Sequence, residues 1–402
     1  MKTLTSLRGY FFYWSLTLVL ITLPFPKYNL NSIGIILCFI SWIFYTTLHN
    51  KTQNLKRQLP LFFLLSSVFW LSLLGLLYTS NMDEGLKNLK QSLPFLVFPL
   101  IFLSIDIKEN DYLTILKYFS YSVVIAALFA LSKAVFFLIN NFGNYFFYEQ
   151  FEKILDKHTT YFALFIIIAI TDFIYDIKKL SLKKNVFLAL LLSFLLIVLY
   201  MLSTRISILG LIIVLIIYVF QFQIKEKLSL TKSLLLLVMC FSFLLVYLTP
   251  NFQKRFYPKS QEGVDISDVD SRAVHWEGVI HRIGNENIFL GSGTGDGHTA
   301  LYKEYLKLNF KTGYLKKYNA HNQYLETTLF FGFTGLFLLL LIFYVAIKKC
   351  IQAKDIMGLS IILVFMIFMC TESILERHSG IVLFAFLSSM IVIKNNKIIN
   401  SK

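Results

Sequence analysis

The chain has 402 residues, of which 56% are hydrophobic and 15% charged, with a mean hydropathy of +0.66. That balance excludes an ordinary soluble domain, and its repeated apolar windows are long enough to cross a bilayer. The net charge of +15 is spread over many connections and is not gathered in a patch with interleaved aromatics, so no nucleic-acid partner is expected.

With the span as the unit, the expected fold is all-α, a polytopic membrane protein with about 12 transmembrane helices. They run from Tyr10–Pro24 to Gly380–Ile393, and one large extracytoplasmic loop separates the ninth, Ser233–Leu248, from the tenth, Tyr324–Ile347. The first run lacks a small-residue cleavage site and leads into another apolar run, which makes it a span rather than a signal peptide. The fourth, Leu93–Ile105, is short and holds Pro94 and Pro99, which points to a broken or re-entrant helix. The expected organisation is a membrane bundle over 1–249, a loop carrying the catalytic residues over 250–322, and a second bundle over 323–402.

Basic residues set the orientation. Lys51, Lys56 and Arg57, then Lys178, Lys179, Lys183 and Lys184, then Lys348, Lys349 and Lys354 all fall on one side of the expected spans. Such residues stay on the cytoplasmic side, so both termini are expected in the cytoplasm and the loop on the periplasmic face of the cytoplasmic membrane. Cys38, Cys240, Cys350 and Cys370 lie in or beside spans, which leaves no disulfide framework and no CxxC metal site.

The outer face collects polar residues along the whole chain. Lys87 and Lys90 follow the third span, and Lys133 sits about two turns from the outer end of the fifth, where its ammonium can snorkel to water. Each of these also reads as an interfacial anchor. Arg205 stands between two apolar spans with almost no loop in which to escape, so it should face a polar cavity. Asp268, Asp270 and Ser271 look like a helix start, with Ala273, Trp276, Ile280 and Ile283 on the packed face and Arg272 near the positive helix end, suited to an anion. The run Leu290-Gly291-Ser292-Gly293-Thr294-Gly295-Asp296-Gly297 lacks the lysine of a nucleotide-binding loop and reads as a flexible turn, with a backbone nest for a phosphate as the alternative. His158, His275, His281, His298, His321 and His378 are all expected outside, without tight zinc spacing, so no metal is expected. His321 and Asn322 open the tenth span, Glu326 follows one turn later, and Gly332 and Gly335 would let a neighbouring helix approach.

At these residues the chain resembles the O-antigen ligase and polymerase superfamily of bacterial membrane glycosyltransferases. The resemblance rests on Arg272 with Trp276, Leu290-Gly291-Ser292-Gly293, His321-Asn322-Gln323-Tyr324-Leu325 and Gly332-Phe333-Thr334-Gly335. Supporting landmarks are Glu84-Gly85-Leu86-Lys87, His158-Thr159-Thr160-Tyr161, Thr204-Arg205, and Glu372-Ser373 with Glu376-Arg377; a small residue expected after Arg205 is instead Ile206. The resemblance implies transfer of a glycan from undecaprenyl pyrophosphate to a lipid A core-type or other acceptor, among membrane lipids, with no cofactor. It implies Arg205 and Arg272 on the pyrophosphate, His321 as base on the acceptor hydroxyl or as the group that orients it, and Lys87, Lys90, Lys133, His158, Tyr161, Asn322, Glu372 and Arg377 around the substrates. A polymerase joining lipid-linked repeat units shares nearly all of these features. A lipid-linked glycan flippase or transporter should instead show repeated halves and charges at the bilayer midplane, neither of which stands out here.

Overall fold

The computed structural model describes residues 2–25, 28–177, 182–225, 268–284 and 287–400, and among these every regular element is helical. In chain order they are α1 (Lys2–Ile21), α2 (Tyr28–Tyr45), α3 (Leu48–Lys56), α4 (Leu59–Leu65), α5 (Ser67–Leu74), α6 (Met82–Ser92), α7 (Pro94–Ser104), α8 (Glu109–Ile139) and α9 (Tyr148–Leu155). There follow α10 (Thr159–Ile177), α11 (Leu182–Leu202), α12 (Arg205–Lys225), α13 (Asp268–Gly284), α14 (Gly297–Lys307), α15 (Lys311–Leu315), α16 (Gln323–Ala353), α17 (Ile356–Met369) and α18 (His378–Asn400).

The all-α expectation holds, but the count of about 12 transmembrane helices does not. Among the described residues, 4 helices are long and apolar enough to cross a membrane: Glu109–Ile139, Thr159–Asp176, Gln323–Ala353 and His378–Asn400. The number reaches 6 if two bent pairs are each one span, Leu30–Tyr45 with Leu48–Lys56 at 103° and Leu59–Leu65 with Ser67–Tyr78 at 62°. Hydropathy counts apolar residues, whereas crossing requires an unbroken rod rising roughly 1.5 Å per residue through about 30 Å of hydrocarbon. α7, started by Pro94 and carrying Pro99, has 11 residues, and α17 has 14, so each falls short. The expected ninth span, Ser233–Leu248, and the first part of the large loop lie outside the described residues.

The chain forms two compact units interleaved in sequence. The first comprises Met1–Leu16, Ser32–Tyr112 and Asp265–Lys402, and the second Thr17–Asn31 and Leu113–Val264. In the first, α18 is the hub: its apolar window is 83% buried, with Phe386 against Phe98 and Phe384 against Phe343 and Phe365. A helix apolar all round belongs inside. α16 has one apolar side left open, where Phe337 and Tyr344 are exposed. In the second unit α10 takes the same central place, its window 89% buried. There Lys117 is clipped between Asp172 at 2.8 Å and Asp176 at 2.7 Å, which compensates a charge that would otherwise sit uncompensated in the bundle.

Candidate active site

The first unit carries a polar cap built on the head of α16. α13 begins at Asp268, as its acidic and serine residues predict, but a different face packs. His275, Gly278 and Val279 turn inward, and Ile280, expected on the packed face, is 59% exposed. Gly278 decides this, because Tyr305 and Leu301 of α14 stand 3.1 and 3.3 Å from where its Cβ would be. Val279, Leu301, Tyr305, Ala320, Leu329 and Phe330 form the apolar core beneath.

Gly332 does more than admit a neighbour. Its φ of 61° and ψ of −162° break α16, a conformation that glycine reaches without strain. The segment before α14 fills the gap like a strand. Ser292 and Gly293 donate to the Leu329 and Phe330 carbonyls at 2.9 and 3.0 Å, and Phe333 donates to Ile288 O at 2.9 Å. The glycine-rich run expected to be a flexible turn is therefore pinned. Its far side is held too: Thr294 Oγ1 donates to Ser72 O at 2.7 Å, and Asp296 accepts the Ser80 and Asn81 amides at 2.5 and 2.9 Å.

His321 sits where this cap meets the membrane helices, 27% exposed and with φ of 45°, a conformation uncommon outside glycine. Its amide donates to Asn319 Oδ1 at 2.9 Å, and its Nδ1 lies 3.5 Å from Oε1 of the buried Glu372. The His275 ring is 5.3 Å away, buried and joined through Nδ1 to the Tyr305 hydroxyl at 2.8 Å. Burial, then the charges of His321 and Arg272, hold the His275 pKa down to about 4 against the pull of Glu326. Arg272, partly buried on α13, thus belongs to the same electrostatic neighbourhood. Asn322 caps α16, accepting the Tyr324 and Leu325 amides at 3.0 and 3.1 Å while its Nδ2 donates to Cys370 O, so both ends of its amide serve the fold.

Behind His321 lies a second cluster. Nε2 of His298 meets Oε1 of Glu326 at 2.6 Å and stands 3.9 Å from Oε1 of Glu376, whose other oxygen accepts from Asn319 Nδ2. Burial works against charge on His298, yet the carboxylates of Glu326 and Glu376 raise its pKa to about 9. Burial and the neighbouring Glu326 carboxylate push Glu376 up to about 7, with His298 opposing. His298, Glu326 and Glu376 offer ligand atoms within 4.8 Å of one another, a set able to hold a cation and unforeseen from residue spacing. The three come from α14, α16 and the turn at Ile374–Glu376, so no short motif announces them. A cavity of about 100 Å³ opens beside the cluster, lined by Ser72, Asn88, Gln91, Phe95 and Phe330 among others.

The remaining expected site residues fall on other elements, some of them in the second unit. Lys87, 61% exposed and paired with Glu84 at 3.0 Å, lines with Lys90, Asp83, Gln91 and His378 an open cavity of about 480 Å³. Arg377 is exposed just before α18. Lys133, His158, Tyr161 and Arg205 belong to the second unit. There Lys133 lies 5.7 Å from the Phe137 ring, His158 Nδ1 accepts the Thr160 amide at 3.4 Å, Tyr161 is buried, and Arg205 starts α12 two residues after Ser203, whose φ is 51°.

These features define an all-α membrane protein with a histidine, a buried carboxylate and an arginine gathered where a polar cap meets apolar helices. Residues 187–340 match the model of the O-antigen ligase family, so the chain carries a domain of that family. That stretch holds Arg205, Arg272, His321 and Asn322, while Lys87, Lys90, Lys133, His158, Tyr161, Glu372 and Arg377 lie outside it. A search of curated proteins returns no match.

Proposed function

We propose that the protein is a glycosyltransferase of the ligase type, moving a glycan from undecaprenyl pyrophosphate to a lipid A core-type acceptor on the periplasmic face of the cytoplasmic membrane. The family domain supports the reaction class, and the observation that carries the mechanism is the His321–Glu372 pair at 3.5 Å. With Nδ1 turned to a buried carboxylate, Nε2 is the nitrogen left for an acceptor hydroxyl. His321 takes that proton, the acceptor oxygen bonds to the anomeric carbon, and the bond from that carbon to the pyrophosphate oxygen breaks. Undecaprenyl pyrophosphate leaves with the electron pair, and Arg272 stabilises the charge that develops on it. For Arg205, Lys87, Lys90 and Lys133 the same pyrophosphate-binding role rests on the family resemblance. General-base assistance of this kind contributes roughly 10² to 10⁴ in rate.

The test is transfer by purified protein given lipid-linked donor and acceptor. His321→Ala should abolish turnover while donor binding stays, because the lost interaction belongs to the transition state. An active His321→Ala enzyme would remove the base assignment. Deleting the gene and resolving the envelope glycolipids separates the reaction classes. Uncapped acceptor with finished polymer on its carrier marks a ligase, single-repeat capping marks a polymerase, and donor trapped on the cytoplasmic side marks a flippase.

A further inference from the structure

We propose that Glu326, held by His298, is a positioning residue that sets the His321–Glu372 pair, so that transfer depends on a buried ion pair that touches no substrate. The inference rests on the reading of His321 as the base. Its ground is one atom: Oε2 of Glu326 accepts the Ala320 amide at 2.9 Å and the Ser373 hydroxyl at 3.2 Å. Ala320 precedes His321 and Ser373 follows Glu372, so the two chain segments bearing the pair are fastened to a single carboxylate oxygen.

The carboxylate form matters for two reasons. A charged acceptor makes stronger hydrogen bonds than a neutral one. Glu326 is also surrounded by donors on both oxygens, His298 on Oε1 and Ala320 with Ser373 on Oε2, so an amide would turn its own N–H toward one of them. His298 compensates the buried charge. It is faced by Glu326 from α16, by Glu376 from the turn before α18 and by Glu84 from α6. Its ring lies against Tyr302 of its own helix and Phe330 of α16. The network also reaches His321 by a second route, since Asn319 accepts the His321 amide and donates to Glu376.

The experiment compares wild type with Glu326→Gln, His298→Gln and His321→Ala as full-length protein in proteoliposomes, measuring kcat, donor KM and the folded fraction by thermal melting. Both Gln variants should lower kcat by roughly 10- to 100-fold, as loss of a group that orients a reactive one does, with donor KM within about twofold. Should Glu326→Gln fail to fold, His298→Gln, which alters no membrane helix, carries the same test. Folded Gln variants within twofold of wild type would overturn the inference, as would a rate loss that simply follows the folded fraction. Inactivation of wild type by chelator, reversed by a divalent ion, would also overturn it, because the cluster would then be holding a cation. An active His321→Ala enzyme removes the base reading and this inference together; an inactive one beside active Gln variants removes this inference alone.

Discussion

Arg272 and His275 show how one turn of α13 divides its labour. Arg272 stays partly accessible, while His275 is buried and hydrogen-bonded to Tyr305. Replacing Arg272 by Lys keeps a charge but loses the planar fork, so transfer should fall, and Ala should fall further, by roughly 10². Wild-type rates in purified Arg272→Ala would place the pyrophosphate contact elsewhere. His275 makes a separate prediction. Its folded pKa of about 4 lies below the ordinary value of 6.5, so as pH falls between them the unfolded chain takes up the proton first. Stability should therefore drop on acidification through that window. A His275→Gln variant should lose much of this dependence, measured as the difference in melting temperature between pH 7 and pH 4.5.

At the scale of the element, the break in α16 is the feature on which the cap depends. A Cβ at Gly332 would stand 2.4 Å from the Phe289 carbonyl carbon, and the backbone there is left-handed. Gly332→Ala should cost at least about 2 kcal/mol from strain alone, before the clash is counted. Melting of the purified variant in detergent checks this, and an unchanged midpoint would mean that the helix can close without the inserted segment. The glycines of the Leu-Gly-Ser-Gly run answer the same need from the other side, since Gly291 would put its Cβ 2.5 Å from Gly332 N. The two glycine motifs of the resemblance are halves of one backbone joint.

For the whole molecule, the proposed orientation can be read by chemical access. With Cys370 replaced by Ser, a cysteine at exposed Thr312 should react with an impermeant thiol reagent added to intact cells from the periplasmic side. One at exposed Thr52 should react only after the membrane is opened. The reverse pattern would move the cap and its chemistry to the cytoplasm. Ser292, which the glycine-rich run would suggest as a probe, is a poor choice because it is buried against α16.

Composition together with long continuous apolar runs determined that the chain is helical and lives in a membrane, because a membrane strand would alternate apolar and polar residues over about ten positions. Spacing placed the start of α13 and put His321 and Asn322 at the opening of the α16 span, since helix starts obey rules that act over a few residues; that Asn322 is the cap came from the structure. The number of crossing helices was not legible, because apolar content accumulates through Pro94, Pro99 and the bends at α2–α3 and α4–α5, whereas helix continuity does not. His321 could be singled out from its own neighbours. Glu326 and Glu372 were also named from their local landmarks, but not what they pair with: Glu372, Glu326 and His298 are separated from His321 by 51, 5 and 23 positions and arrive from different elements. Only tertiary packing decides which buried carboxylate meets which imidazole, and here it decides through the glycines at 278 and 332, which set how closely α13, α14 and α16 approach.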